Sequence, residues 1–115
     1  MILAALLLAA ASADPAAAPA RAFQKCISCH SLDPAETGLP GPSLGGVIGR
    51  RAASVPDFDY SPAMRAAGAA GLVWTEERLD AFLANPEALV PGTMMQTPPP
   101  TSTEERALLY GLFAR

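Results

Sequence analysis

Cys26-Ile27-Ser28-Cys29-His30 contains both cysteines and the only histidine of the chain. All of its thiol and imidazole chemistry therefore falls within one short stretch of backbone. The C-x-x-C-H spacing is that of c-type haem attachment: each thiol adds to a haem vinyl group, and the adjacent imidazole is carried under the metal as an axial ligand. Three other uses of the same residues compete. A redox-active dithiol needs only C-x-x-C and normally follows a strand in a βαβ pattern, which is not visible here. A structural zinc ion needs a fourth ligand, and the rest of the sequence offers no Cys or His. A disulfide would close so short a loop that it brings little loop-entropy stabilisation.

The segments around this run have the punctuation of short helices and long loops. Asp14-Pro15 is an N-cap followed by proline at the first helical position, opening an alanine-rich helix towards Cys26, with Pro19 marking a late and short regular start. Residues 31–56 are rich in Gly and Pro without sustained periodicity, as expected of a loop wrapped over something other than its own side chains. Ser61-Pro62 predicts a helix through Met64 to about Ala67, and Thr75-Glu76-Glu77 caps another with Leu79, Phe82 and Leu83 on one face. Asn85-Pro86 ends that helix, and Pro98-Pro99-Pro100 must be extended. Thr101-Ser102-Thr103-Glu104-Glu105 offers two overlapping capping boxes for a last helix with Leu108, Leu109, Leu112 and Phe113 as its apolar stripe. No repeat, second domain or strand is evident.

At 115 residues the chain is the length of one domain. Residues 1–13 read as a signal peptide: an uncharged apolar run from Ile2 to Ala11, then Ala11-Ser12-Ala13 as the small-x-small cleavage site, with cleavage expected before Asp14. No Lys or Arg precedes the run, which leaves retention as an anchor as the alternative. The run is nonetheless short of the about 20 apolar residues that span a bilayer. Residues 14–115 then form the functional domain and carry all eight basic and all eleven acidic residues, for a net charge of −3. Nothing forms a basic patch for nucleic acid, and Lys25 is the only lysine.

Together, the C-x-x-C-H run, the small helical outline and Val90-Pro91-Gly92-Thr93-Met94-Met95 resemble a class I cytochrome c, of the mitochondrial and bacterial cytochrome c2 type. The resemblance covers nearly all of residues 14–115. It implies an all-α, single-domain fold whose helices and loops wrap around one covalently bound haem c, held through Cys26 and Cys29. His30 and Met95, the methionine of P-G-T-x-M, would be the iron ligands, and a thioether opposite imidazole favours ferrous iron. Met94 is the competing ligand, Met64 reads as an apolar wall residue, and bis-histidine ligation is excluded within one chain. Gly41-Pro42-Ser43-Leu44-Gly45-Gly46 matches the family's G-P-x-L-x-G, which makes the Pro42 carbonyl the acceptor for the His30 ring N–H. Arg50, Tyr60 and Trp74 fall at the family's haem-propionate partners, and Thr93 resembles a threonine that helps close the ligand segment.

The sequence also departs from that pattern. Phe82 stands where the family has a tyrosine near the ligand sulfur, and Met64 where it has an asparagine. The first-helix glycine that allows close approach of the last helix is replaced by Pro19 or an alanine, whereas the last helix has Gly111 among bulky residues. About three extra residues precede Trp74, placed by the sequence in a loop within 66–71.

These features imply an exported monohaem one-electron carrier, expected as a periplasmic monomer with redox protein partners. Membrane contact would come only through those partners, or through a retained N-terminal segment facing the periplasm. A dedicated haem subunit of one redox enzyme is the runner-up. A five-coordinate gas sensor or peroxidase-like protein would have to lose Met95, and a peroxidase would lack its usual distal histidine. Export makes a direct prediction: N-terminal sequencing of protein from its native host should begin at Asp14, whereas an intact Met1 in the membrane fraction would indicate the anchored form.

Overall fold

The computed structural model describes residues 14–115; the expected signal peptide lies outside them. Five short helices make up the regular structure: α1 (Ala18–Phe23), α2 (Pro62–Ala69), α3 (Glu76–Ala84), α4 (Pro86–Leu89) and α5 (Thr103–Phe113). Among the described residues there is no strand, only one isolated antiparallel bridge between Arg51 and Val73. α2, α3 and α5 form where side chains can satisfy the free N–H groups of a first turn, whereas α1 and α4 start with proline in the first turn and no side-chain cap. Ser61 Oγ accepts from Met64 N–H, Thr75 Oγ1 from Arg78 N–H, and Ser102 with Glu105 completes a reciprocal capping box. Of the two overlapping boxes in the sequence, only the one starting at Ser102 is made.

Proline shapes the N-terminal end. Asp14 caps a 3-10 turn at Pro15–Ala17, and α1 starts afresh with Pro19 in its first turn, where the missing N–H costs nothing. After Phe23 the chain continues in turns through the Cys26–Cys29 run, with His30 N–H reaching the Cys26 carbonyl at 2.9 Å.

The two ends of the domain meet. Phe23 packs edge-on against Phe113, ring centroids 6.0 Å apart, and Leu109 and Phe113 are almost completely buried. Gly111 plays no part in this approach, because a Cβ there would meet nothing within 4 Å. Ala22, the small residue next to Phe23, is buried in the same core as Leu109 and Phe113. Leu108 also falls outside the expected stripe: it is 37% exposed, and the inward face of α5 is the i, i+4 pair Leu109 and Phe113.

Two further details differ from the sequence reading. Residues 66–69 are not loop but the second half of α2, which ends in a turn at Gly71 with φ +95°. Gly68 lets this added turn lie against the Ala52 carbonyl, which a Cβ would approach to 2.2 Å. Asn85-Pro86 does end α3, but Pro86 then opens the single turn of α4.

α3 is tied to α5 through one carboxylate. Asp80 Oδ1 accepts from Arg106 Nε at 2.6 Å and from the Tyr110 hydroxyl, while Arg106 Nη1 donates to the Thr101 carbonyl at 2.7 Å. Tyr110 and then Arg106 hold the Asp80 carboxyl below its ordinary range, and burial with the Asp80 bond pushes the Tyr110 phenol up. A depressed carboxylate stabilises the fold above its unfolded pKa of about 3.9 and loses that contribution as pH falls towards its folded value. Tyr110→Phe should therefore lower the unfolding free energy by about 1 kcal/mol at pH 7 and by less at pH 3, as denaturant melts at the two pH values would show.

Candidate haem site

Folding brings every residue singled out for the site, Cys26, Cys29, His30, Pro42, Arg50, Tyr60, Trp74 and Met95, to the lining of one cavity of about 280 Å³. The turns after α1 supply the two thiols and the imidazole. Cys26 is half-buried and Cys29 exposed, and burial pushes the Cys26 thiol up against the opposing influence of Lys25.

His30 is seated by the loop that follows it. Its Nδ1 lies 2.8 Å from the Pro42 carbonyl, and because a carbonyl can only accept, Nδ1 carries the proton. Nε2 is thereby left as the ring nitrogen with a lone pair to offer. Gly41 makes this seat possible: a Cβ there would lie 2.3 Å from His30 Cε1, so only glycine lets the backbone pass this close. Burial outweighs the Pro42 bond and lowers the His30 pKa, favouring the neutral ring that a metal requires.

The two methionines of the ligand segment differ in setting. Both border the cavity, yet Met94 is 61% exposed whereas Met95 packs against the core. Met64 is buried on α2 as a wall residue, and Phe82 is buried edge-on to Trp74 at 5.1 Å.

Donors are set into this mostly apolar lining. Arg50 donates through Nη2 to the Gly45 carbonyl at 2.9 Å, which uses one of its five N–H groups. The Tyr60 hydroxyl accepts from Val55 N–H at 3.0 Å, so its own proton remains available to donate. Burial raises the Tyr60 pKa, with Val55 N–H and Arg50 acting the other way, and the phenol stays neutral at physiological pH. Ser43 is buried at the same cavity, and its Oγ has no partner among the described residues. An unpaired buried hydroxyl costs about 1–3 kcal/mol. Carboxylate-bearing haem suits this setting: an apolar body for the walls, an iron for His30 and acceptors for the donors.

Sequence reasoning missed Gly41 as the histidine seat, Ser43 as a buried donor and Ser61 as a lining residue. Ser61 was legible only as a helix cap, although its place beside Tyr60 was the available signal. Leu109 and Phe113 also line the cavity, which periodicity showed only as a stripe.

No family model matches the chain. It is 45% identical over 74 residues to cytochrome c2 of Agrobacterium tumefaciens, covering 64% of this chain and 67% of that protein. It is 41% identical over 76 residues to cytochrome c-550 of Ancylobacter novellus, covering 66% of this chain and 71% of that one. The chain belongs to the class I c-type cytochromes. The structure of cytochrome c2 from Rhodospirillum centenum superposes with a TM-score of 0.71 at 34% identity, covering 87% of this chain and 95% of the other. Cytochrome cH from Methylobacterium extorquens gives 0.72 at 31% identity, with 85% and 95% covered. As a class I cytochrome, the protein carries one covalent haem c and transfers electrons rather than catalysing a reaction.

The seat of the histidine makes a prediction of its own. Gly41→Ala should drive the ring off the Pro42 carbonyl and lower the unfolding free energy by about 1–3 kcal/mol, the usual cost of overpacking. Thermal melts, and the ring N–H resonance of the ferrous protein, would check both effects.

Proposed function

We propose that this cytochrome is an exported one-electron carrier in which His30 Nε2 and Met95 Sδ hold the haem iron, with thioether links to Cys26 and Cys29. The bond from His30 Nδ1 to the Pro42 carbonyl carries this reading, because it turns the imidazole into an oriented metal ligand inside the cavity that also takes in both thiols and Met95. The haem supplies one-electron chemistry by cycling between ferrous and ferric iron. Everything else falls to the chain. Pro42 fixes the tautomer and strengthens His30 as a donor. Arg50, Tyr60 and Trp74 donate towards the haem carboxylates, whose burial would otherwise cost several kcal/mol. Phe82, in place of a tyrosine, removes that hydroxyl from the methionine side and makes it more apolar.

Exchange with partners suits the surface near the motif and the ligand segment. Ile27 is 49% and Met94 61% exposed, large apolar side chains for a brief contact with a redox protein. The acidic balance favours partners with basic or mainly apolar faces. A periplasmic, monomeric carrier fits these features. Among the described residues, no helix is long and apolar enough to cross a membrane.

The ligand assignment is tested by a pair of variants. Met95→Ala should open the iron to carbon monoxide, abolish the sulfur-to-iron charge-transfer band and lower the potential. Met94→Ala should leave all three in place and cost about 1 kcal/mol or less in stability. The large spectral change in Met94→Ala would shift the ligand by one residue. Ready carbon monoxide binding by the wild type would remove the basis for the carrier.

A further inference from the structure

Residues 91–97, which carry Met95, are irregular and sparsely bonded. Among the described residues, their backbone makes two local backbone hydrogen bonds, Thr93 N–H to the Val90 carbonyl and Gln96 N–H to the Met94 carbonyl, each 3.1 Å. One side chain from outside the segment reaches in. Glu87, on α4, accepts through Oε2 from Gly92 N–H at 2.9 Å and through Oε1 from Gln96 Nε2 at 3.3 Å. Gly92 and Gln96 stand on either side of Met95. The two oxygens of one planar carboxylate therefore set the distance across the mouth of the ligand loop.

The loop's two ends are fixed independently. At Gly92, φ is +86° and a Cβ would come to 3.3 Å of Ala63 Cβ, so the backbone already lies against α2. Beyond the loop, the Pro98-Pro99-Pro100 stretch is stiff, and the Thr101 carbonyl is held by Arg106. The slack is confined to the few residues that Glu87 spans.

We propose that Glu87 is a positioning residue for axial ligation: by bridging Gly92 and Gln96 it holds the loop closed over Met95 and suppresses displacement of the thioether by an outside ligand. This rests on Met95 being the distal ligand. The bridge acts through hydrogen bonds rather than charge. Glutamine can reproduce it, its amide oxygen accepting from Gly92 and its amide N–H donating to a rotated Gln96 side chain.

The test uses the holoprotein, with imidazole as the probe for the ferric form and carbon monoxide for the ferrous form. Glu87→Ala should raise the apparent imidazole affinity about tenfold, the scale expected for losing two exposed hydrogen bonds, speed carbon monoxide binding and weaken the sulfur-to-iron band. Glu87→Gln should return all three to near wild type. An intact band with unchanged imidazole affinity in Glu87→Ala overturns the clasp, even if that variant melts earlier. Equal effects of Glu87→Ala and Glu87→Gln also overturn it, since charge would then be what matters. A wild-type ferric protein without the sulfur-to-iron band overturns the Met95 assignment and the clasp together, an outcome visible before any variant is made.

Discussion

The His30 ring rests on Gly41 and donates to the carbonyl of Pro42, and this one seat joins the two halves of the binding chemistry. It ties the motif after α1 to a loop that has almost no regular structure of its own. It also decides which ring nitrogen is free. Backbone bonds reinforce the tie: Gly41 N–H donates to the Cys29 carbonyl at 2.7 Å and Leu44 N–H to the Ser31 carbonyl at 2.8 Å, so the Gly- and Pro-rich stretch after Ser31 keeps a fixed relation to the thiols. Further bonds carry the same loop onward: Ile48 N–H to the Phe113 carbonyl at 3.1 Å and Gly49 N–H to the Trp74 carbonyl at 2.7 Å. Local geometry at one dipeptide thus propagates through the loop to α5 and to the segment before α3.

Among the described residues no helix is long enough to be stable in isolation, the longest being the 11 residues of α5. Their order comes from caps, from the Phe23–Phe113 contact and from apolar faces turned towards a shared interior. Because those faces line a cavity rather than close on one another, the prosthetic group belongs to the core as much as to the site. The same side chains do both jobs: Trp74, Phe82, Leu109 and Phe113 are buried and also line the space that takes the haem.

What could be read in the sequence was whatever local chemistry determines. Caps at Ser61, Thr75 and Ser102, proline at the first turn of helices and the C-x-x-C-H spacing all express short-range rules, and each placed its element. The propensity of an Ala/Gly run is weak, so its tertiary setting decided the matter: α2 runs on through residues 66–69 because Gly68 can lie on the Ala52 carbonyl. Periodicity could not separate Leu108 from Leu109, since which edge of a stripe is buried depends on where α1 lies. Gly41 was legible as part of a turn but not as a seat, because its neighbour is the His30 ring of the preceding motif, which only folding brings against it. The Glu87 bridge left no trace in the pattern, its partners being a backbone N–H and an amide that only the folded loop brings together.

The meeting of α1 with α5 has a consequence for the order of events in the life of the chain. Phe23 finds its partner only when the last residue of the last helix has been made, and Leu109 arrives barely sooner. A polypeptide emerging N-terminus first therefore presents Cys26, Cys29 and His30 before Leu109 and Phe113 exist to line their side of the cavity. Until α5 packs against α1, the cavity stays open on that side. Joining the ends of the chain is thus the step that completes the cavity wall, and it comes last.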